Sequence, residues 1–238
     1  IILGTASDHL PRVDSVFGER SGQSIDARGL HALALERRSD FGEGRPRYES
    51  LLADCQEWFG RNDPRTLRVL GGLCSLVSHQ STKAAEAGDP ERAAELLEQA
   101  YDMQVDLYGR YRDARPDSDF GRTLARLNLA EMESVRGQHD QAREEMRSVI
   151  NIWLQERGLD DKYTIWAFHM LAEANLRAAR PESAESVWRE ALGMMLTRRE
   201  LGRSTEQLPE IVSRLSKILS NQGDTAGAKE GREILESG

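Results

Sequence analysis

Apolar residues recur along this chain at helical spacing, and the pattern itself repeats. The segments 87–101, 136–150, 178–192 and 222–236 each have a small residue at their second position and an alanine five residues later. Successive alanines are 49, 42 and 44 residues apart. Apolar residues follow four and seven positions after the first three alanines: Leu97 and Ala100, Met146 and Val149, and Trp188 and Ala191. Because this spacing places side chains on one face of a helix, each segment predicts a helix that buries one stripe.

A second helical pattern precedes each of these segments, at 66–79, 123–136, 164–177 and 208–221. Each unit is therefore predicted to be a pair of helices joined by a turn. In the first unit, the additional residues 81–87 either extend the helix by about two turns or form a loop. An earlier and weaker unit covers about 23 to 60, with helices at 24–38 and 46–60 and a turn marked by Gly42, Gly44 and Pro46.

The two-helix unit, with small residues in both helices and at the turn, resembles the tetratricopeptide repeat. The segments GRNDPRTLRVL (60–70) and TLARLNLA (123–130) look like the kinesin-light-chain type of this repeat. That type joins its units by Gly-x-x-His-Pro-x-Thr-Leu, and Asp63 stands here where the pattern has histidine. The resemblance covers roughly residues 23 to 236 and implies an all-α fold, a right-handed α-solenoid of about 4–5 stacked antiparallel helix pairs.

Two segments flank the regular repeats. Residues 1–22 are expected to form an N-terminal arm or linker, and residues 23–238 the solenoid domain. The last repeat has Gly231 and Arg232 where the others place core residues, and a polar outer face of this kind suits a capping repeat at the end of a stack. Ile1, in place of methionine, suggests a processed chain or a fragment of a larger protein, and the cap suggests a terminus near residue 238.

Composition disfavours several classes of function. The formal net charge of −8 disfavours nucleic-acid binding, which needs clustered positive charge. With 30% charged residues and a mean hydropathy of −0.60, the chain has no stretch apolar enough to span a membrane. Cys55 and Cys74 lie in helical patterns and are expected to be buried free thiols. Arginine outnumbers lysine 28 to 4, a bias common in bacterial genes, and no export signal opens the chain, so we expect a cytoplasmic bacterial protein.

Motifs for catalysis and cofactor binding are absent from the sequence. The histidines have no metal-ligand spacing, and there is neither a G-x-S-x-G turn nor a glycine-rich nucleotide loop. We therefore expect no enzyme, no cofactor and no metal site. His139 and His169 are expected to pack or form hydrogen bonds within the scaffold.

The resemblance also implies where a partner would bind. In tetratricopeptide proteins the first helices of the pairs line a concave groove that receives peptides or partner helices. Carrying that register over implies groove positions at Arg68, Ser75, His79, Leu127, Asn128, Glu131, Val135, His169, Glu173, Arg177, Arg214, Lys217 and Asn221. Asn128 matches the family asparagine that grips a peptide backbone.

Eight of these positions form the predicted partner-binding set: Asn128, Glu131, His169, Glu173, Arg177, Arg214, Lys217 and Asn221. Within this set, Arg177, Arg214 and Lys217 either form a positive end of the groove, suited to an acidic peptide, or are paired with carboxylates of the same molecule.

The leading hypothesis is a non-catalytic protein–protein interaction module whose partner is a protein or peptide, with an acidic one favoured. A homodimer is left open, and neither nucleic acid nor membrane is expected as a partner. The alternative is the sensor or regulatory region of a larger bacterial signalling protein, such as a STAND-type ATPase or a transcriptional regulator. An enzyme on a helical scaffold is less favoured, and RNA binding is disfavoured by the acidic balance.

Overall fold

The computed structural model describes residues 13–202, 205–224, 227 and 229. All regular secondary structure in these residues is helical. After a short helical segment at 13–17, the helices are α1 (Gly22–Arg37), α2 (Phe41–Phe59), α3 (Pro64–Glu86), α4 (Pro90–Ala114), α5 (Phe120–Val135), α6 (His139–Glu156), α7 (Lys162–Arg177), α8 (Pro181–Glu200) and α9 (Leu208–Asn221). The predicted all-α class is confirmed. Across the described ranges, no helix combines the length and the apolar character needed to cross a membrane.

The chain divides into two compact units, residues 1–125 and residues 126–238, and α5 crosses the boundary between them. In the first unit, α1 pairs with α2 and α3 with α4, around a cluster made by Leu67, Leu70, Cys74, Leu107 and Ala125. In the second unit, α7 packs against both α6 and α8, and α8 also packs against α9. Its largest fully buried side chains are Leu127, Met146, Ile150, Trp153, Phe168, Trp188, Met195, Ile211 and Leu215.

The turns within the pairs explain the small residue that opens each repeated segment. Gly88, Gly137 and Gly223 have φ values of 78°, 89° and 84°, in the left-handed region that favours glycine. Ala179 occupies the same place with a φ of 54°, so this turn carries strain that the others avoid. The small residue is therefore required by backbone conformation.

The predicted helical stripe is confirmed in the second unit. Ala142, Met146 and Val149 on α6 are all 0% exposed, and α8 buries Ala184, Trp188 and Ala191 in the same register. On α4, however, Leu96 is buried while Leu97 is only half-buried. The predicted core position on α4, Leu97, is therefore wrong by one residue, because the buried leucine is Leu96. The buried stripe of α4 consists of Leu96, Ala100, Gln104 and Leu107.

The segment 81–87 extends the helix instead of forming a loop, because α3 continues to Glu86. Ser81 is fixed there by a hydrogen bond of 2.7 Å from its hydroxyl to the carbonyl oxygen of Ala93 on α4. The two cysteines are buried free thiols, as expected. Burial raises the pKa of the Cys74 thiol to about 12.

The turn of the earliest pair was predicted wrongly at Gly42–Pro46. The chain reverses at Ser39, whose φ is 58°, and α2 begins at Phe41 with Asp40 as its N-cap. Gly44 lies inside α2, where a Cβ would stand 3.3 Å from Leu76 and 3.4 Å from Leu35. This glycine therefore permits close helix packing and does not make the turn.

Asp63, which stands where the linker pattern has histidine, has a structural role at the start of α3. Its carboxylate accepts a hydrogen bond from the backbone N–H of Arg65 at 2.9 Å and so caps the start of α3. The Arg65 side chain contacts the same carboxylate at 2.8 Å and, through hydrogen bonding, lowers the pKa of Asp63.

The segments that flank the repeats fall largely outside the described residues. This is the case for residues 1–12 of the predicted arm and for Ala228, Gly231 and Arg232 of the predicted cap. Residues 13–17 are helical. Asp14 forms an ion pair with Arg28 of α1, with 2.8 Å between Oδ2 and Nη2. The boundaries 1–22 and 23–238 stay a prediction.

Candidate functional site

The eight predicted binding residues lie on three first helices of the second unit. Asn128 and Glu131 belong to α5, while α7 and α9 carry the others: His169, Glu173 and Arg177, and Arg214, Lys217 and Asn221. The same helices also bury Leu127, Phe168 and Ile211, each of which is 0% exposed. The eight residues are referred to below as the polar face.

An ion pair connects α5 and α7 across the polar face. Arg177 Nη2 lies 3.8 Å from Glu131 Oε1, and both side chains keep part of their surface in solvent, 35% and 41% respectively. The pKa of Glu131 is raised because burial disfavours its charged form; Arg177 opposes this effect and the nearby Glu173 adds to it. At 3.8 Å the pair lacks a direct hydrogen bond, so the Arg177 guanidinium keeps donors for another acceptor.

A second cluster surrounds His169 and connects α7 to α9. The imidazole stacks on Trp188 of α8, with ring centroids 6.4 Å apart and planes inclined by 30°. Arg214 Nη1 lies 3.3 Å and 3.4 Å from the two ring nitrogens, and Glu173 Oε1 lies 3.9 Å from Nδ1. Burial lowers the pKa of His169, and the Arg214 guanidinium lowers it further. The lowered pKa favours the neutral imidazole, and the contacts with Trp188 and Arg214 tie His169 to the neighbouring helices.

We expect the lowered pKa of His169 to make the stability of the protein depend on pH. The native pKa lies below that of the unfolded state, so the unfolded chain binds a proton first as the pH falls. The free energy of unfolding therefore decreases as the pH falls from the pKa of His169 in the unfolded chain to its pKa in the native protein. Urea unfolding at about pH 7.5 and about pH 5.5 should show a smaller decrease for His169→Phe, which keeps a ring against Trp188, than for the unsubstituted chain. Equal decreases would contradict a neutral buried His169.

Two of the three predicted cations are paired within the molecule. Arg177 faces Glu131, and the Nε atom of Arg214 donates to Glu210 at 2.7 Å while its Nη1 atom contacts His169. Lys217 lies one turn further along α9 and is exposed. Arg177 and Arg214 therefore each have a carboxylate of the same molecule beside them, and both keep part of their side-chain surface in solvent.

One part of the register prediction is wrong. Leu127, expected to face the groove, is 0% exposed and lies in the core. The positions that correspond to Asn128 in the other pairs carry no asparagine: Gly72 has no side chain, Met170 is 3% exposed and buried, and Arg214 contacts His169.

The predicted residues of the first unit surround a residue that sequence reasoning missed. Ser75 Oγ lies 3.4 Å and His79 Nδ1 3.7 Å from Glu36 Oε1, and Glu36 is only 6% exposed. Arg68 instead forms a 2.5 Å ion pair with Asp26. Glu36 follows the buried Ile25 and Ala32 at helical spacing, so the pattern did contain a signal for its burial.

The comparisons with known proteins agree with this architecture. Residues 122–197 match the model of the tetratricopeptide repeat family. No curated protein sequence matches the chain. The structure is similar to the nearly identical TPR-like repeats of a protein from Podosopora anserina designated a kinesin light chain, with a TM-score of 0.68 and 14% identity over 90% of this chain and 93% of the other. A variant of that protein with one residue substituted gives a TM-score of 0.67 at 14% identity, over 96% and 95% of the two chains.

The chain is also similar to BtubC (BKLC) from P. vanneervenii, with a TM-score of 0.61 and 14% identity over 98% of this chain and 91% of the other. The predicted resemblance to tetratricopeptide repeats of the kinesin-light-chain type, and the solenoid fold that it implies, are confirmed. At this level of identity the solved structures establish the fold alone. Neither the family model nor these structures name a signalling ATPase or a transcriptional regulator, so that alternative gains no support.

Proposed function

We propose that the chain is a non-catalytic protein-interaction module that binds an acidic peptide or partner segment at the polar face. Tetratricopeptide repeats in general mediate protein–protein interaction, and the stacking of helix pairs leaves the outward sides of the first helices available for a partner. The polar face consists of eight such positions on α5, α7 and α9, and the contacts of Arg177 with Glu131 and of Arg214 with His169 connect these helices.

The proposal rests on one observation: carboxylates of the same molecule occupy only part of the hydrogen-bonding capacity of Arg177, Arg214 and Lys217. Arg177 is met by Glu131 only at 3.8 Å, and Arg214 uses its Nε atom for Glu210 while 37% of its side chain stays exposed. Lys217 follows Arg214 by three residues, so the two cations are neighbours on the surface of α9. A carboxylate of a partner would find guanidinium and ammonium donors here, and each charge-assisted hydrogen bond contributes about 1.5–3 kcal/mol.

The test is selection from a displayed library of random twelve-residue peptides on the purified chain. We expect the enriched peptides to be rich in aspartate and glutamate. Their affinity should fall at least tenfold for Arg177→Glu and for Lys217→Glu, because each reversal puts a negative charge beside the peptide carboxylates and tenfold corresponds to about 1.4 kcal/mol.

Arg189→Glu is the matched control, since Arg189 belongs to the second helix α8, is 54% exposed and already pairs with Glu185. It changes the net charge equally but lies off the polar face, so the selected peptides should bind it as they bind the unsubstituted chain. Selection of neutral or basic peptides, or equal losses for all three reversals, would refute the acidic-partner proposal.

A further inference from the structure

The first unit contains a cavity of about 490 Å³ bordered by α1, α2 and α3. Most of its lining is apolar, and it includes Ile25, Leu30, Leu33, Tyr48 and Val69. Cavities of about 300–1,000 Å³ with apolar walls and a few polar groups are typical of small-molecule sites. Burial raises the pKa of Tyr48 to about 12, so its hydroxyl adds no charge to the wall at neutral pH.

One buried carboxylate interrupts this apolar lining. Glu36 borders the cavity and is 6% exposed. Its Oε1 atom meets Ser75 at 3.4 Å and His79 at 3.7 Å, whereas its Oε2 atom is buried and has no hydrogen-bond partner among the described residues. An acceptor left in this state destabilises the fold, and more so when it is charged. Because Glu36 borders the cavity, a strong donor held there, preferably a cation, would lie beside an incompletely paired carboxylate.

The neighbouring arginine does not supply that cation. Arg68 also borders the cavity, but its guanidinium is engaged by Asp26 at 2.5 Å. Burial raises the pKa of Glu36, while His79 and Ser75 act in the opposite direction. A ligand that brings its own positive charge would therefore gain both the apolar contacts and an attractive interaction with the Glu36 carboxylate.

We propose that this cavity binds a small organic ammonium ion, with its apolar part against Ile25, Leu33 and Val69 and its protonated amine donating to Glu36. A lysine side chain of a peptide offers the same chemistry from another source, and the experiment separates the two. The site is independent of the polar face, because it lies in the other unit and selects a ligand of opposite charge.

The experiment uses 2-phenylethylammonium as the probe and 2-phenylethanol as its neutral counterpart. Calorimetric titration of the full chain should give at least tenfold tighter binding for the ammonium, since only the ammonium forms a charge-assisted bond. Methyl NMR spectra of the unsubstituted chain should show shifts at Leu30, Leu33 and Val69 that saturate with the same affinity. Equal binding of both compounds, or shifts confined to other methyl groups, would overturn the proposal.

Two substitutions test the residues that make the site. Glu36→Gln keeps the shape of the side chain and should reduce ammonium affinity at least tenfold while leaving that of the alcohol unchanged. Gly29→Leu should abolish binding of both, because Gly29 borders the cavity and a Cβ there meets no atom within 4 Å. Gly109→Leu on α4 is its control, since a Cβ at that helical glycine is also unobstructed but lies away from the cavity.

The lysine source is tested with the peptide acetyl-Leu-Lys-Leu-amide. If this peptide binds and 2-phenylethylammonium does not, the assignment to a small molecule is wrong. Circular dichroism and the unfolding midpoint show whether Glu36→Gln folds like the original chain. If it does and its ammonium affinity is unchanged, Glu36 does not bind the ammonium group. The methyl shifts of the unsubstituted chain decide the location of binding without any variant.

Discussion

Replacement of Trp188 by alanine is expected to lower the free energy of unfolding by about 3–5 kcal/mol. Trp188 is 1% exposed, and its ring occupies the position on α8 where the repeat places a large core residue. Its removal leaves a void between helices that are held by stacking, and the rigid neighbouring helices can close that void only in part. Urea unfolding followed by circular dichroism measures the loss.

Two further variants are the controls for Trp188→Ala. Trp166→Ala removes the same side chain from a half-buried position on α7 and should cost less than half as much. Trp188→Phe keeps an aromatic ring beside His169 and should retain part of the lost stability. If Trp166→Ala and Trp188→Ala were equally destabilising, Trp188 would not be the core anchor of the second unit.

The repeat pattern predicted the helices and the core of the second unit because both depend on short-range order. Ala142, Met146 and Val149 recur at a spacing that only one helix face satisfies, and all three are fully buried. The small residue at each turn could also be read from the sequence, since a left-handed backbone strongly favours glycine. In a stack of helix pairs, each pair contacts mainly its neighbours in sequence, so local patterns determine much of the fold.

The candidate site was less predictable because it depends on how helices lie against each other. The sequence placed Arg177 and Glu131 on first helices, but whether they meet depends on the spacing of α5 and α7. The same limit applies to Glu36, whose partners Ser75 and His79 come from α3. The misplaced first turn has a different cause: Gly44 was read as a turn former although its role is close packing against Leu76.

The adjacent glycines of α3 provide a sharp test of that distinction, because sequence alone cannot tell them apart. An alanine stabilises a helix interior by about 0.8–1.0 kcal/mol relative to glycine. At Gly71 a Cβ would lie 3.5 Å from Leu107, which is an ordinary contact, so Gly71→Ala should be neutral or should raise the free energy of unfolding by up to about 1 kcal/mol.

Gly72→Ala should instead lower the free energy of unfolding by about 1–3 kcal/mol, the range for overpacking a core. A Cβ at Gly72 would stand 2.7 Å from Cε1 of Tyr48 and 2.9 Å from its hydroxyl oxygen. Tyr48 is only 5% exposed, so its ring would have to leave its packed position to make room for the methyl group.

Unfolding of Gly71→Ala, Gly72→Ala, Tyr48→Leu and the double variant Gly72→Ala/Tyr48→Leu measures this effect. In the double variant the clash is gone, so its loss should be smaller than the sum of the two single losses. If Gly72→Ala were as stable as Gly71→Ala, or if the losses were additive, the Tyr48 ring would not be what requires glycine at position 72. If only Gly72→Ala lowers the free energy of unfolding, Gly72 is needed for packing against Tyr48. Tyr48 also borders the cavity of the first unit.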